Sequence, residues 1–278
     1  MRCVLMVVFA CLSSLPLYAR DGVDCWAGTK KAIQKDLSGL VLRLSPLPEA
    51  VNIATGNGCR AQLFNSQRKL IFSAADWGFS IVLNGQDVNG DGSPDLVLES
   101  YSGGAHCCWT YYVVSLGSKP GLLVKFENER GAGFVANKIT GRIEIRALDG
   151  AFDYFDEFAH AFSPFPDVYL RLEGRKLLDI SQEHLVDYDK SITKLKAEIP
   201  AKDLAVFLQA ENRDEKIGWE NVSVNVVRIV QAYLYSGRKA QAHATLGKMW
   251  PPFDQDRVWK LILKTRREGI LRYTRAKV

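Results

Sequence analysis

The sequence predicts an α+β protein: an antiparallel β-rich domain, a sheet or sandwich and not a full propeller, followed by a C-terminal helical region. Three observations carry this expectation. The composition is that of a folded chain, with 278 residues, 47% hydrophobic side chains and 36 basic against 31 acidic groups, which excludes wholesale disorder, a coiled-coil rod and a collagen-like fibre. Between residues 61 and 180 short apolar or alternating runs recur, separated by Gly, Asn, Asp and Pro clusters, a pattern of antiparallel meanders and not of βαβ units. After Ser181 the apolar period lengthens from that of a strand to that of a helix.

In chain order, residues 1–19 carry Arg2, an apolar run from Val4 to Leu12 and a close on Ala19. They are expected to act as a secretory signal cleaved after Ala19, because the run is too short to span a bilayer and charge follows at Arg20. No transmembrane anchor is expected after cleavage. Residues 20–60 form an adapter segment, in which Thr29 caps a short helix through Leu37, Ser38-Gly39 stops it and 40–44 is a strand. Strands are expected at 69–73, 79–83, 95–101, 109–116, 122–126, 142–147, 168–172 and 176–180 within the β-rich domain 61–180. In the helical region 181–278, Val222, Val226, Ile229, Val230, Tyr233 and Leu234 share one face, with a stop at Ser236-Gly237. Two further helices are expected at 239–249 and 255–271.

Loss of the signal removes Cys3 and Cys11 and leaves Cys25, Cys59, Cys107 and Cys108, an even number routed to an oxidising compartment, where disulfides are the default. Of the three pairings, Cys25 with Cys59 is favoured. Cys107 and Cys108 are then either a vicinal disulfide or two buried thiols; bridging each to a distant cysteine is the competing pattern. A nucleophilic Cys107 helped by His106, or a soft-metal site of His106, Cys107 and Cys108, is disfavoured because neighbours on a strand point to opposite faces.

The sharpest motif is Asp87-Val88-Asn89-Gly90-Asp91-Gly92-Ser93-Pro94-Asp95. Oxygen-bearing side chains stand at positions 1, 3, 5 and 9, a glycine at 6, and position 7 offers the carbonyl of Ser93. Calcium takes six to eight such oxygens at about 2.3–2.6 Å. An EF-hand would need a glutamate at position 12, which here is Leu98, and helices on either side, whereas the flanks look like strands. The metal-free alternative is an Asx-rich hairpin turn that spends the same oxygens on backbone capping.

Strand, Asp-x-Asn-x-Asp-Gly-x-x-Asp loop and strand resemble the calcium loops of FG-GAP repeats in integrin-type β-propellers and of the related VCBS repeats over residues 87–98. The stretch 95–116, with Tyr101-Ser102-Gly103-Gly104-Ala105-His106-Cys107-Cys108-Trp109, is similar to bacterial secreted proteins of the FG-GAP and VCBS-like kind. The resemblance implies a compartment and a calcium ion, structural in role; it names no activity. It covers about one blade, and there is no second copy of the loop, so a closed propeller of four or more blades is not expected from 120 β-rich residues.

Asp149, Asp153, Asp156 and Glu157 lie among aromatics and are what a glycosidase cleft would use, although solvated charges beside an aromatic core would look the same. No nucleophile elbow, phosphate loop, dinucleotide fingerprint or His-Glu-x-x-His is present. Residues 257–278 hold eight basic side chains against Glu268 alone, so the rest of the mature chain is slightly acidic. Any attraction to an anionic surface therefore rests on this last helix; no nucleic-acid partner is expected. The resulting expectation is a secreted or periplasmic calcium-binding protein that binds or scaffolds an envelope polymer or protein, with an envelope hydrolase working through residues 149–157 as the alternative.

Overall fold

The computed structural model describes residues 24–48, 58–104, 108–212 and 219–275; the expected signal at residues 1–19, Cys107 and His106 lie outside them. Among the described residues thirteen strands form three antiparallel sheets. A central sheet has the order β1 (Asp24–Trp26), β6 (Gly78–Gln86), β7 (Asp95–Tyr101), β8 (Trp109–Ser115) and β9 (Gly121–Asn128). A second contains β2 (Ile33–Leu37), β3 (Leu40–Pro46), β4 (Cys59–Phe64) and β5 (Leu70–Asp76). The third contains β10 (Ala132–Ala136), β11 (Ile143–Leu148), β12 (Asp167–Glu173) and β13 (Lys176–Asp179). Five helices follow: α1 (Leu185–Ala197), α2 (Ala201–Phe207), α3 (Glu220–Tyr235), α4 (Lys239–Met249) and α5 (Gln255–Glu268). The α+β expectation is met, and the described residues close no barrel or propeller.

The central sheet is buried on both faces, and its sequence shows why. β7 and β8 are buried at nearly every position, as a doubly covered strand requires, around the apolar cores Leu96-Val97-Leu98 and Tyr111-Tyr112-Val113-Val114. Because side chains alternate along a strand, Leu96, Leu98, Tyr112 and Val114 pack against Leu42, Leu44, Leu63 and Phe72 of the second sheet. Val97, Tyr111, Val113 and Phe126 face a larger core built from the third sheet and the helices, including Phe134, Ile145, Leu170, Val226 and Val230. The helical region is thus packed into the same core as the β strands.

The helix expected from Thr29 to Leu37 is instead a turn followed by β2. Thr29 closes the turn, its Oγ1 accepting the Trp26 N–H at 3.0 Å while its own N–H donates to the Trp26 carbonyl at 2.9 Å. Ser38 and Gly39 both have positive φ, 50° and 82°, and Leu37 pairs with Leu40. That is a two-residue hairpin of the primed type, whose twist matches the flanking strands. Residues 24–46 are woven into two sheets, since β1 pairs with β6 and β3 with β4. The Cys25–Cys59 disulfide joins the central and second sheets, with Cα atoms 6.0 Å apart. Cys108 is disulfide-bonded as well, so it is not a thiol.

Helix α3 ends as its sequence predicts. Gly237 adopts φ 81°, the Arg238 N–H reaches back to the Tyr233 carbonyl at 2.8 Å and the Gly237 N–H to Leu234, a left-handed C-terminal cap that glycine accepts without strain. No helix among the described residues is long and apolar enough to cross a membrane.

Candidate metal centre

The loop 87–94 joins β6 to β7, whose register ends on Gln86 opposite Asp95. It is organised by its own carboxylates. Asp87 accepts the N–H groups of Gly90 (2.7 Å), Asp91 (3.2 Å) and Gly92 (2.9 Å). Asp91 accepts Ser93 N–H at 2.8 Å and the Asn89 side-chain amide at 3.0 Å. Asp95 Oδ2 accepts Val88 N–H at 2.8 Å and Asn89 N–H at 3.3 Å. Gly90 and Gly92 have φ of 77° and 81°, left-handed values that let the chain curl round these oxygens.

The loop is also anchored from outside. Asn89 exchanges two bonds with Gly174 in the β12–β13 turn, its side-chain amide donating at 3.2 Å and its carbonyl accepting at 3.1 Å. Leu116 N–H donates to Pro94 O at 2.8 Å, and a side chain on Gly90 would run into the Arg142 guanidinium. Asp87, Asn89, Asp91, Ser93 and Asp95 are therefore held in one loop between two sheets.

Whether these residues suit a hard cation turns on Asp95. Its side chain is fully buried, and while Oδ2 takes two amides, Oδ1 has no hydrogen-bond partner. A buried orphan oxygen is costly, and burial, reinforced by Asp91 and Asp87 nearby, pushes the Asp95 carboxyl up to about 6. Asp91, by contrast, is held below the usual carboxylate range by the Asn89 amide and Ser93 N–H. Among the described residues no three His, Cys, Asp or Glu side chains already stand as a metal-holding group; the loop carboxylates are turned onto its amides. The donor set is all oxygen, the chemistry calcium selects, and includes the Asn89 amide and Ser93 carbonyl alongside the carboxylates.

A pH dependence follows. A group whose folded pKa is raised favours its protonated form in the fold, so Asp95 contributes stability that is full below about 4 and is lost as pH rises through about 6. A cation at Asp95 must displace that proton. If calcium is the cation, the rise in melting temperature that it produces is expected to be larger at pH 7.5 and to shrink steadily below pH 6, as scanning calorimetry at a series of pH values would record.

The carboxylates of 149–157 are arranged differently. Residues 150–162 form three short 3-10 turns, with no strand. Asp149 is fully buried and accepts the Tyr235 hydroxyl at 2.7 Å, Ile270 N–H at 3.2 Å and Ala151 N–H at 3.3 Å. Asp153 holds His160 at 2.7 Å and the Ser163 hydroxyl at 2.9 Å. Asp156 takes Arg257 in a fork at 2.5 and 2.9 Å, and Asp254 grips the same guanidinium. Asp149 and Asp156 are fasteners between the turns and the helical region, and Asp153 ties the turns to one another.

That pairing also redistributes the basic helix. Arg257 is committed to Asp156 and Asp254, Arg266 to Asp179 and the Tyr235 ring, and Arg272 to the Glu268 carbonyl and Tyr273. Lys260, Lys264 and Arg267 remain exposed on α5, at spacings of four and three residues that place them along one face. The sequence showed the basic excess without showing this division.

No family model, curated protein or solved structure matches the chain.

Proposed function

We propose that this is an extracytoplasmic calcium-binding protein with a binding or scaffolding role at the cell envelope, in which Asp87, Asn89, Asp91, Asp95 and the carbonyl of Ser93 hold the ion. The observation that carries the reading is the fully buried Asp95 carboxylate with one oxygen unpartnered, inside a loop with the oxygen spacing that calcium uses. The FG-GAP and VCBS resemblance of residues 87–98 supports it. The apolar N-terminal run and the Cys25–Cys59 disulfide support the periplasm or the exterior as the compartment.

Calcium here is structural. It neutralises carboxylates crowded at the junction of β6, β7 and the β12–β13 turn, and raises stability by mass action, by about 2.7 kcal/mol at a hundredfold excess over Kd. The exposed face of Lys260, Lys264 and Arg267 supplies an accessory attraction to anionic envelope surfaces, sensitive to salt.

A melting curve with calcium and with chelator tests the reading. The native chain is expected to lose several degrees on chelation, and Asp91→Ala to melt at the chelated temperature under both conditions. Curves that coincide for the native chain would make the loop a metal-free Asx turn.

A further inference from the structure

A groove of about 580 Å³ lies away from the calcium loop, where the β9–β10 turn carries the chain from the central sheet to the third. Ligand sites favour such seams, where two rigid elements present side chains to one space. The groove joins an aromatic ring to planar polar groups that are already fixed. Trp109 is half-buried, with Tyr101 packed against it at a ring distance of 4.4 Å. Gly131, at φ 74°, stands beside the indole, and a Cβ there would lie 3.5 Å from the ring, so the absence of a side chain keeps the groove open next to Trp109.

The polar groups come from four strands and the turn. Glu99 on β7 is 6% exposed and accepts the Tyr111 hydroxyl at 2.8 Å, while Tyr111 also takes the Ala132 N–H at 2.6 Å. Arg146 on β11 is fixed by Asp167 at 3.1 Å and lies over the Tyr169 ring. Arg130 is exposed, its guanidinium seated over the Phe165 ring at 4.6 Å, with no carboxylate paired to it among the described residues. Arg146 and Asp167 cancel each other, which leaves Arg130 as the cation available to a ligand.

We propose that this groove binds a saccharide chain bearing carboxylates. A sugar ring presents a C–H face, which suits an indole, and vicinal hydroxyls, which suit planar carboxylate and guanidinium groups. A uronate carboxylate matches the fork of Arg130 bidentately. Because Glu99, Arg130 and Arg146 are each held by an internal partner, little side-chain freedom is lost on binding. The inference gives the envelope-binding role a ligand class and a place, and it stands independently of the calcium loop.

Calorimetric titration of the full chain with hyaluronan hexasaccharide, a glucuronate-containing probe, and with neutral chitohexaose tests it. The acidic probe is expected to bind saturably and the neutral one at least about tenfold more weakly, the worth of one charge-assisted pair. Arg130→Ala is expected to remove that preference, Arg130→Lys to restore part of it, and Trp109→Ala to abolish binding of both. Trp109→Phe, weakening binding with the fold retained, serves if the alanine variant unfolds. Asp91→Ala is expected to bind the probe normally, which separates this site from calcium. Failure of the native chain to bind hyaluronan hexasaccharide, equal affinity for both sugars, indifference to Arg130→Ala, or equal binding of a poly-glutamate peptide would each overturn the proposal.

Discussion

Replacing Asp149 with alanine is expected to cost about 3–5 kcal/mol of folding stability, a large share of the 5–15 kcal/mol available to a domain. The carboxylate is fully buried at the meeting point of the 3-10 turns, α3 and the C-terminal turn, and accepts Tyr235, Ile270 and Ala151 at once. Removing it leaves a phenolic hydroxyl and a backbone N–H without partners in the core, each carrying its own desolvation cost. Gly269 shares the constraint, since a Cβ there would stand 2.2 Å from Asp149 Oδ2. Urea unfolding of Asp149→Ala should show a lowered midpoint. Burial raises the Asp149 pKa, so its contribution is full below the unfolded value of 3.8 and falls as pH rises through the raised folded value. Asp149→Asn should abolish that slope.

Loss of the Cys25–Cys59 disulfide is expected to cost about 3–4 kcal/mol, the loop-closure entropy for its separation of 34 residues. The effect should be concentrated in the N-terminal strands, because the bond ties β1, a short edge strand of the central sheet, to β4 of the second. In Cys25→Ser with Cys59→Ser, hydrogen exchange should rise first in β1 to β4, while α3 to α5 keep their protection. Uniform loss of protection across the helices would show that the disulfide stabilises the whole core equally.

Much of the fold was legible because burial writes its period into the sequence. The short apolar cores of β7 and β8, bounded by turn residues, read as strands, and the face shared by Val222, Val226, Ile229, Val230, Tyr233 and Leu234 reads as a helix, although Val222, Val224 and Val226 also alternate as a strand would. β2 was misjudged because Ser38-Gly39 serves equally as a helix stop and as a hairpin turn; the cross-strand pairing of Leu37 with Leu40, a tertiary fact, decides between them. β10, Ala132–Ala136, gave no signal: its small residues carry little alternation, and its start is fixed by the hydroxyl of Tyr111, 21 positions away.

The candidate metal loop was legible in spacing and ligand type. Its docking was not, because Gly174 is 85 residues from Asn89. The same holds for Asp149 and Asp156, whose partners Tyr235, Arg257 and Ile270 lie 86 to 121 positions further on. Local pattern suggests chemistry; only the assembled core shows that Asp149 and Asp156 are spent on internal partners while Asp95 keeps an unpartnered oxygen.

Calorimetric titration of calcium into the chelator-stripped full chain at pH 7.5 is expected to show one site per chain, lost in Asp87→Asn with the fold intact by circular dichroism. Absence of binding in the native chain, or a site that survives Asp87→Asn and Asp91→Ala unchanged, would contradict calcium binding by this loop.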